Sequence, residues 1–137
     1  MAGTGAILCG ARTFGGDDPH AGTDQEGAYG GTWTGTTVVL THHPVDPPPA
    51  DVEYSDDLHA AVARARELAG DRTAAVVGAD VARQCLADGL LDEVLVVVCP
   101  ILLGDGVRLF DWPGGRKVRL DVIEADGLGV RARVLAD

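Results

Sequence analysis

The chain is short of positive charge, of long apolar runs and of paired cysteines. Eleven lysines and arginines face twenty-one acids, for a net charge of −10. That balance argues against a surface built for phosphate backbones or anionic lipid, so neither nucleic acid nor membrane is expected as a partner. It leaves room for a local basic pocket that holds a small anion. No stretch reaches the roughly 18–20 apolar residues of a membrane span. The opening MAGTGAILCG has neither a basic n-region nor a long apolar h-region, so a secretory signal is not expected and the cytoplasm is the expected location. Cys9, Cys85 and Cys99 are odd in number, show no CxxC spacing and sit in apolar patterns, which predicts buried free thiols. His42 and His43 are neighbours, which would face opposite sides of an extended chain, and His20 and His59 have no partner at ligand spacing. A metal site is therefore not expected. No Ser-His-Asp or Cys-His arrangement can be assembled either. No repeat or boundary divides the 137 residues, so one domain over 1–137 is expected.

What is present is a globular pattern, with 46% apolar residues. AILC at 6–9, TVVL at 37–40, AAVV at 74–77 and EVLVVVC at 93–99 read as buried strands, and VEYS at 52–55 as a short edge strand. The run at 93–99 is apolar on both faces, as a central strand covered on both sides would be. Residues 15–35 form a long glycine-rich loop, of the kind that is often functional. THHPVDPPPAD is a stiff, proline-bound connector. Leu58, Val62, Ala65 and Leu68 recur at helical spacing, with Ser55, Asp56 or Asp57 as cap and Gly70 as stop. A second, short helix covers 80–87. KVRLDVIE at 117–124 and VRARVLA at 130–136 flank the turn ADGLG and predict an antiparallel hairpin. Strands and helices alternate first and a hairpin comes last. The class is α/β, a mostly parallel mixed sheet with an antiparallel end.

Two strand-to-turn junctions carry candidate chemistry. AAVV runs into Gly78, and Asp80 follows where a helix starts. A glycine before a helix N-terminus lets backbone N–H groups approach an anion. Equally, Asp80 as an N-cap satisfies those groups with no ligand. GARTF is the second junction, where Arg12 and Thr13 could hold a phosphate, or could be an exposed arginine and a cap. GDGVRLFD is a glycine turn beside the strongest strand and could line a pocket at its carboxyl end.

Taken together, GAILCGARTF, TTVVLTHHP, the long stretch AAVVGADVARQCLADGLLDEVLVVVCPILLGDGVRLFD and the final hairpin resemble the dihydrofolate-reductase-like superfamily. The branch they resemble is related to the reductase domain of bacterial riboflavin biosynthesis. The resemblance covers nearly the whole chain and is most specific from Val76 to Asp111. It implies a three-layer, mostly parallel sheet with an antiparallel C-terminal hairpin. It implies NADPH as hydride donor and a small heterocycle, pteridine- or pyrimidine-like, as acceptor. Gly78, Ala79, Asp80, Val81 and Ala82 would then carry the dinucleotide pyrophosphate. Gly10, Arg12 and Thr13 would lie beside cofactor phosphates, Thr41 and His42 would edge the adenosine pocket, and Leu103 and Gly104 would face the substrate. A homodimer is expected by the same resemblance.

Three departures from the family pattern are visible. One glycine, followed by Ala79, stands where the family usually has two. Gly10 is followed by Ala11, so the arginine comes one place late. The family's opening strand and loop, of the type SLDGFIA, precede everything seen here. That strand lies between those corresponding to 73–77 and 93–99, so the sheet is expected to close the gap, to borrow a strand, or to belong to a longer protein with an upstream start. The competing functions are a redox-active reductase, a degenerate or repurposed relative without redox activity, and a fragment of a longer enzyme. Asp80, Asp105 and Asp111 are acids near the proposed pocket, but none is assigned a catalytic role.

Overall fold

The structure is a computed structural model that describes residues 3–16, 22–24 and 26–136. His20 lies outside the described residues. The contacts cluster into two compact units, one up to Val81 and one from Ala82 onward.

The first unit is a four-stranded parallel sheet. β1 spans Thr4–Gly10, β2 Thr37–Leu40, β3 Val52–Ser55 and β4 Thr73–Val77, in the order β3-β2-β1-β4. β1 sits between β2 and β4, and all three pairings are parallel. A one-turn helix α1 (Ala11–Phe14) follows β1 directly. Helix α2 (Leu58–Ala69) crosses back from β3 to β4. Its N-cap is Asp57, whose carboxylate accepts from the Ala60 N–H at 2.7 Å, and its chain leaves through Gly70 at φ 58°.

Side chains alternate across the sheet, so β1 and β2 bury one set on each face. Ile7, Cys9 and Val39 cluster on one face, under Trp33, Val52 and Tyr54. Ala6, Leu8 and Val38 alternate to the other face, which α2 covers with Ala61, Val62, Ala65 and Ala69. The helix comes close because Gly5 has no side chain. A Cβ there would lie 2.6 Å from the Ala69 carbonyl oxygen. Arg64 on α2 grips Glu53 on β3 through both carboxylate oxygens, at 2.7 and 2.9 Å, and holds that carboxyl below its usual range.

In the second unit, helix α3 (Ala79–Ala87) enters from the first and leads to an antiparallel sheet. Its strands are β5 (Glu93–Val97), β6 (Leu120–Asp126) and β7 (Gly129–Val134), in the order β5-β7-β6. β6 and β7 form the expected hairpin, turning through Gly127 at φ 46°. Buried apolar residues are few here, Cys85 and Ala132 among the described residues. No described helix is long and apolar enough to cross a membrane.

The α/β class, the parallel strands and the C-terminal hairpin agree with the sequence reading. Four expectations need correction. The strands at 73–77 and 93–97 belong to separate sheets, because among the described residues β4 pairs only with β1 and β5 only with β7. In consequence β5 is not covered on both faces, and Leu95 and Val97 are 68% and 63% exposed. Cys9 and Cys85 are buried, but Cys99 lies past the end of β5 and is exposed. Helix α3 starts at Ala79, so Asp80 sits in its first turn rather than at its cap.

Candidate functional site

All strands of the first unit run the same way, so their carboxyl ends share one edge. That edge is where open α/β sheets place ligands. β1 delivers Gly10 and then Arg12 and Thr13 on α1. β2 delivers Thr41 and His42, since Leu40 is in register with Gly10. β4 delivers Gly78, followed by the first turn of α3. Two junctions 68 positions apart in sequence are thereby brought into contact, as residues 10 and 78 show.

The contact is specific. Gly78 holds φ 105°, a conformation side chains rarely adopt. A Cβ there would strike the Thr13 hydroxyl oxygen and lie 3.3 Å from the Thr13 Cβ. A Cβ on Gly10 would lie 3.2 Å from a methyl of Val81, itself buried at 3% exposure. The two glycines therefore let the turn after β1 nest against the turn after β4. The space beside Gly78 is taken by Thr13, so a ligand at this edge meets a hydroxyl there.

A cavity of about 600 Å³ opens beside this junction. Ile7, Cys9, Thr37 and Val77 form its floor and Phe14 and Trp33 its aromatic walls, while Arg12, Thr13 and Glu26 supply polar groups. Its size falls within the usual range of small-molecule sites, roughly 300–1,000 Å³. The Trp33 indole N–H donates to the Thr37 hydroxyl at 3.2 Å, which fixes that wall. Glu26 accepts from the Gly22 N–H at 2.7 Å. Burial pushes the Cys9 thiol up to about 11, which favours its protonated form at neutral pH. Among the described residues no cluster of three metal-ligating side chains occurs.

Of the residues singled out in the sequence, Gly10, Arg12, Thr13, Gly78, Ala79, Asp80 and Val81 come together at this edge. Val81 has its side chain buried, which leaves only its backbone to a ligand. Thr41 lies beside them across β2. Its hydroxyl accepts from the His43 N–H at 3.1 Å, and its N–H donates to Ser55 O at 2.8 Å. His42 is exposed in the same turn. Ala82, Leu103 and Gly104 belong to the second unit, where Leu103 is 81% exposed and Gly104 turns the chain at φ 78°. Asp105 accepts from the Gly106 N–H at 2.7 Å, and Asp111 lies 3.5 Å from Arg108. The sequence reading did not assign Cys9, Phe14, Thr37 or Trp33 to a site. Alternation along AILC places Ile7 and Cys9 on one face, and Trp33 is an aromatic in an otherwise polar loop. Only the fold shows that they line one cavity.

The donor set suits a dinucleotide in part. A guanidinium, a hydroxyl and the start of a nine-residue helix converge where a diphosphate would lie, next to aromatic walls for a ring. The space a side chain would take at Gly78 is filled by Thr13.

A family described as the RibD C-terminal domain matches residues 1–132. Among solved structures, a provisionally assigned riboflavin biosynthesis protein from Shewanella sp. PV-4 is similar over 97% of this chain and 75% of its own, with a TM-score of 0.66 and 18% identity. RibD from Acinetobacter baumannii is similar over 96% of this chain, with a TM-score of 0.54 and 18% identity, and the present chain spans 47% of it. Likeness at this identity shows the fold alone. No curated protein matches the chain.

Proposed function

The chain belongs to the RibD C-terminal domain family, and from that premise we propose that it is an NADPH-dependent reductase of a small heterocyclic substrate. The observation that supports this reading is the convergence of Arg12, Thr13 and the Gly78 turn at the shared carboxyl edge, beside a cavity with aromatic walls. Arg12 would pair with a cofactor phosphate and Thr13 would donate to one. The amides of Ala79 and Asp80 would add the positive end of the α3 dipole. Thr41 and His42 would border the adenosine. Phe14 and Trp33 would exclude water from a bound ring. NADPH would supply the hydride, and what the protein contributes is orientation. No covalent nucleophile is required, which accords with a Cys9 thiol held protonated.

The test is titration with NADPH, followed by Arg12→Ala. Saturable binding by the parent, weakened about tenfold by the loss of one charge-assisted contact, is expected. A folded protein that binds no NADPH would sink the reading. It would favour the second one, a relative without redox activity. That alternative draws on Ala79 in place of a glycine and on Thr13 seated over Gly78.

The proposed assembly is a homodimer. It draws on the exposed apolar edge strand β5, whose Leu95 and Val97 are left for a partner to cover.

A further inference from the structure

We propose that the second unit binds a medium-chain aliphatic carboxylate in a pocket between α3, β5 and the segment before β6. The pocket holds about 360 Å³ and is distinct from the cavity described above. Leu86 on α3, Val94 and Val96 on β5, and Leu109, Phe110 and Leu120 form its walls. Several of these are left open to water: Leu109 is 60% exposed and Leu120 50%. A ligand with an apolar body would remove that surface from solvent.

The charges at this pocket run against the rest of the chain. Acids outnumber basic residues twenty-one to eleven overall. Yet among the described residues the pocket is lined by Arg83, Arg116 and Lys117, and by no acid. Arg116 stacks over Trp112, 4.8 Å from the ring centroid, which fixes where its charge lies. Three cations beside an apolar wall complement a single anionic head on a hydrocarbon body.

The lining also says what the ligand lacks. Among the described residues it contains no serine, threonine, asparagine, glutamine or tyrosine. A sugar or a nucleobase buried there would leave its neutral donors and acceptors unpaired, at a cost of about 1–3 kcal/mol each. A ligand whose polar atoms are confined to one carboxylate avoids that cost. The volume lies near the lower end of ligand sites, about 300–1,000 Å³, which selects a short or medium chain over a long one. The inference does not depend on the cofactor reading, because it uses none of its residues except Ala82 as a wall.

The experiment uses octanoate as probe, with octanol and octylammonium as neutral and cationic controls, on the whole chain. Calorimetry should show saturable binding of octanoate at one per chain, about tenfold or more tighter than octanol, with octylammonium weakest. The variant Arg116→Glu/Lys117→Glu changes two exposed side chains and should retain the parent's melting behaviour. It should lose octanoate binding about tenfold or more while octanol is unchanged. Amide shifts on octanoate addition should centre on Leu86, Val96 and Phe110. NADPH, whether it binds or not, should leave the octanoate isotherm unchanged, so failure here and failure of the cofactor reading are separate results. Octanol binding as tightly as octanoate would overturn the proposal. So would binding that survives the charge reversal, or capture of the protein by anionic vesicles when monomeric octanoate does not bind. Octanoate acting only by shifting a dimer to monomer would assign the surface to a second copy instead.

Discussion

At the scale of single residues, Gly78 and Thr13 form one unit. Gly78→Ala meets two penalties, a left-handed backbone and the Thr13 hydroxyl. A loss of about 2–4 kcal/mol is expected, since each such strain costs about 1–3 kcal/mol. In a Thr13→Ala background the same substitution should cost less, because the hydroxyl is gone and only backbone strain and a 3.3 Å Cβ approach remain. A double-mutant cycle in urea measures the coupling, and additivity would show that the two side chains do not meet. Cys9 gives a prediction in pH. Burial raises its thiol from 9.0 to about 11, so the unfolded chain ionises first. The stabilisation is fully present below pH 9.0 and is lost as pH rises through about 11, a change of about 3 kcal/mol by linkage. Cys9→Val should lose less stability than the parent between about pH 8.5 and about pH 11.5, which bracket that window. Equal losses would mean that Cys9 is not the group responsible. Cys99, exposed, should react first with thiol reagents at neutral pH.

At the scale of elements, α2 depends on its first turn. Asp57→Ala removes the acceptor for the Ala60 N–H and should cost about 1 kcal/mol, whereas Asp57→Asn should cost little. Thermal melts of the pair check this, and equal effects would assign the loss to charge instead of the cap. β5 raises the question of its free edge. Val98 N–H donates to Leu128 O and Val134 N–H to Asp92 O, so the even-numbered residues face β7. By alternation Glu93, Leu95 and Val97 turn their N–H and C=O groups outward. Glu93 is neutralised by Arg131 at 2.7 Å, so the strand presents little charge of its own. Two copies could pair there antiparallel, Leu95 against Leu95. Light scattering at tens of micromolar, a range in which weak dimers of about −7 kcal/mol are half-formed, should show a dimer for the parent and a monomer for Leu95→Lys. A monomeric parent would end the dimer proposal.

At the scale of the molecule, the core is unequally shared. Among the described residues, eleven of the thirteen buried apolar ones, from Ala6 to Val81, lie in the first unit, and Cys85 and Ala132 are the two in the second. Burial of apolar area is the dominant favourable term in folding, so the units should differ in stability. Amide exchange should be slowest in β1 and β2 and markedly faster in β5, β6 and β7. Equal protection throughout would show that the two units open together.

Local pattern was enough for several elements. TVVL and VEYS are strands at the expected residues, and the helix with its Asp57 cap and Gly70 stop stands where the spacing puts it. These depend on periodicity, caps and turns, which are properties of neighbours in sequence. The class and the hairpin follow from the same signals. What the tertiary structure decided are matters of pairing and access. Whether strands 73–77 and 93–97 share a sheet depends on which edges meet, and nothing within either strand encodes its partner. An apolar strand reads as central, yet Leu95 is exposed, β7 being the one strand that flanks β5 among the described residues. Gly78 signals a special backbone from sequence alone. That the space beside it belongs to Thr13, 65 positions away by residues 13 and 78, is a fact of three-dimensional packing. The same holds for the cation-lined pocket, since Arg83 and Lys117 are distant in sequence and become neighbours only when the chain returns beside β5.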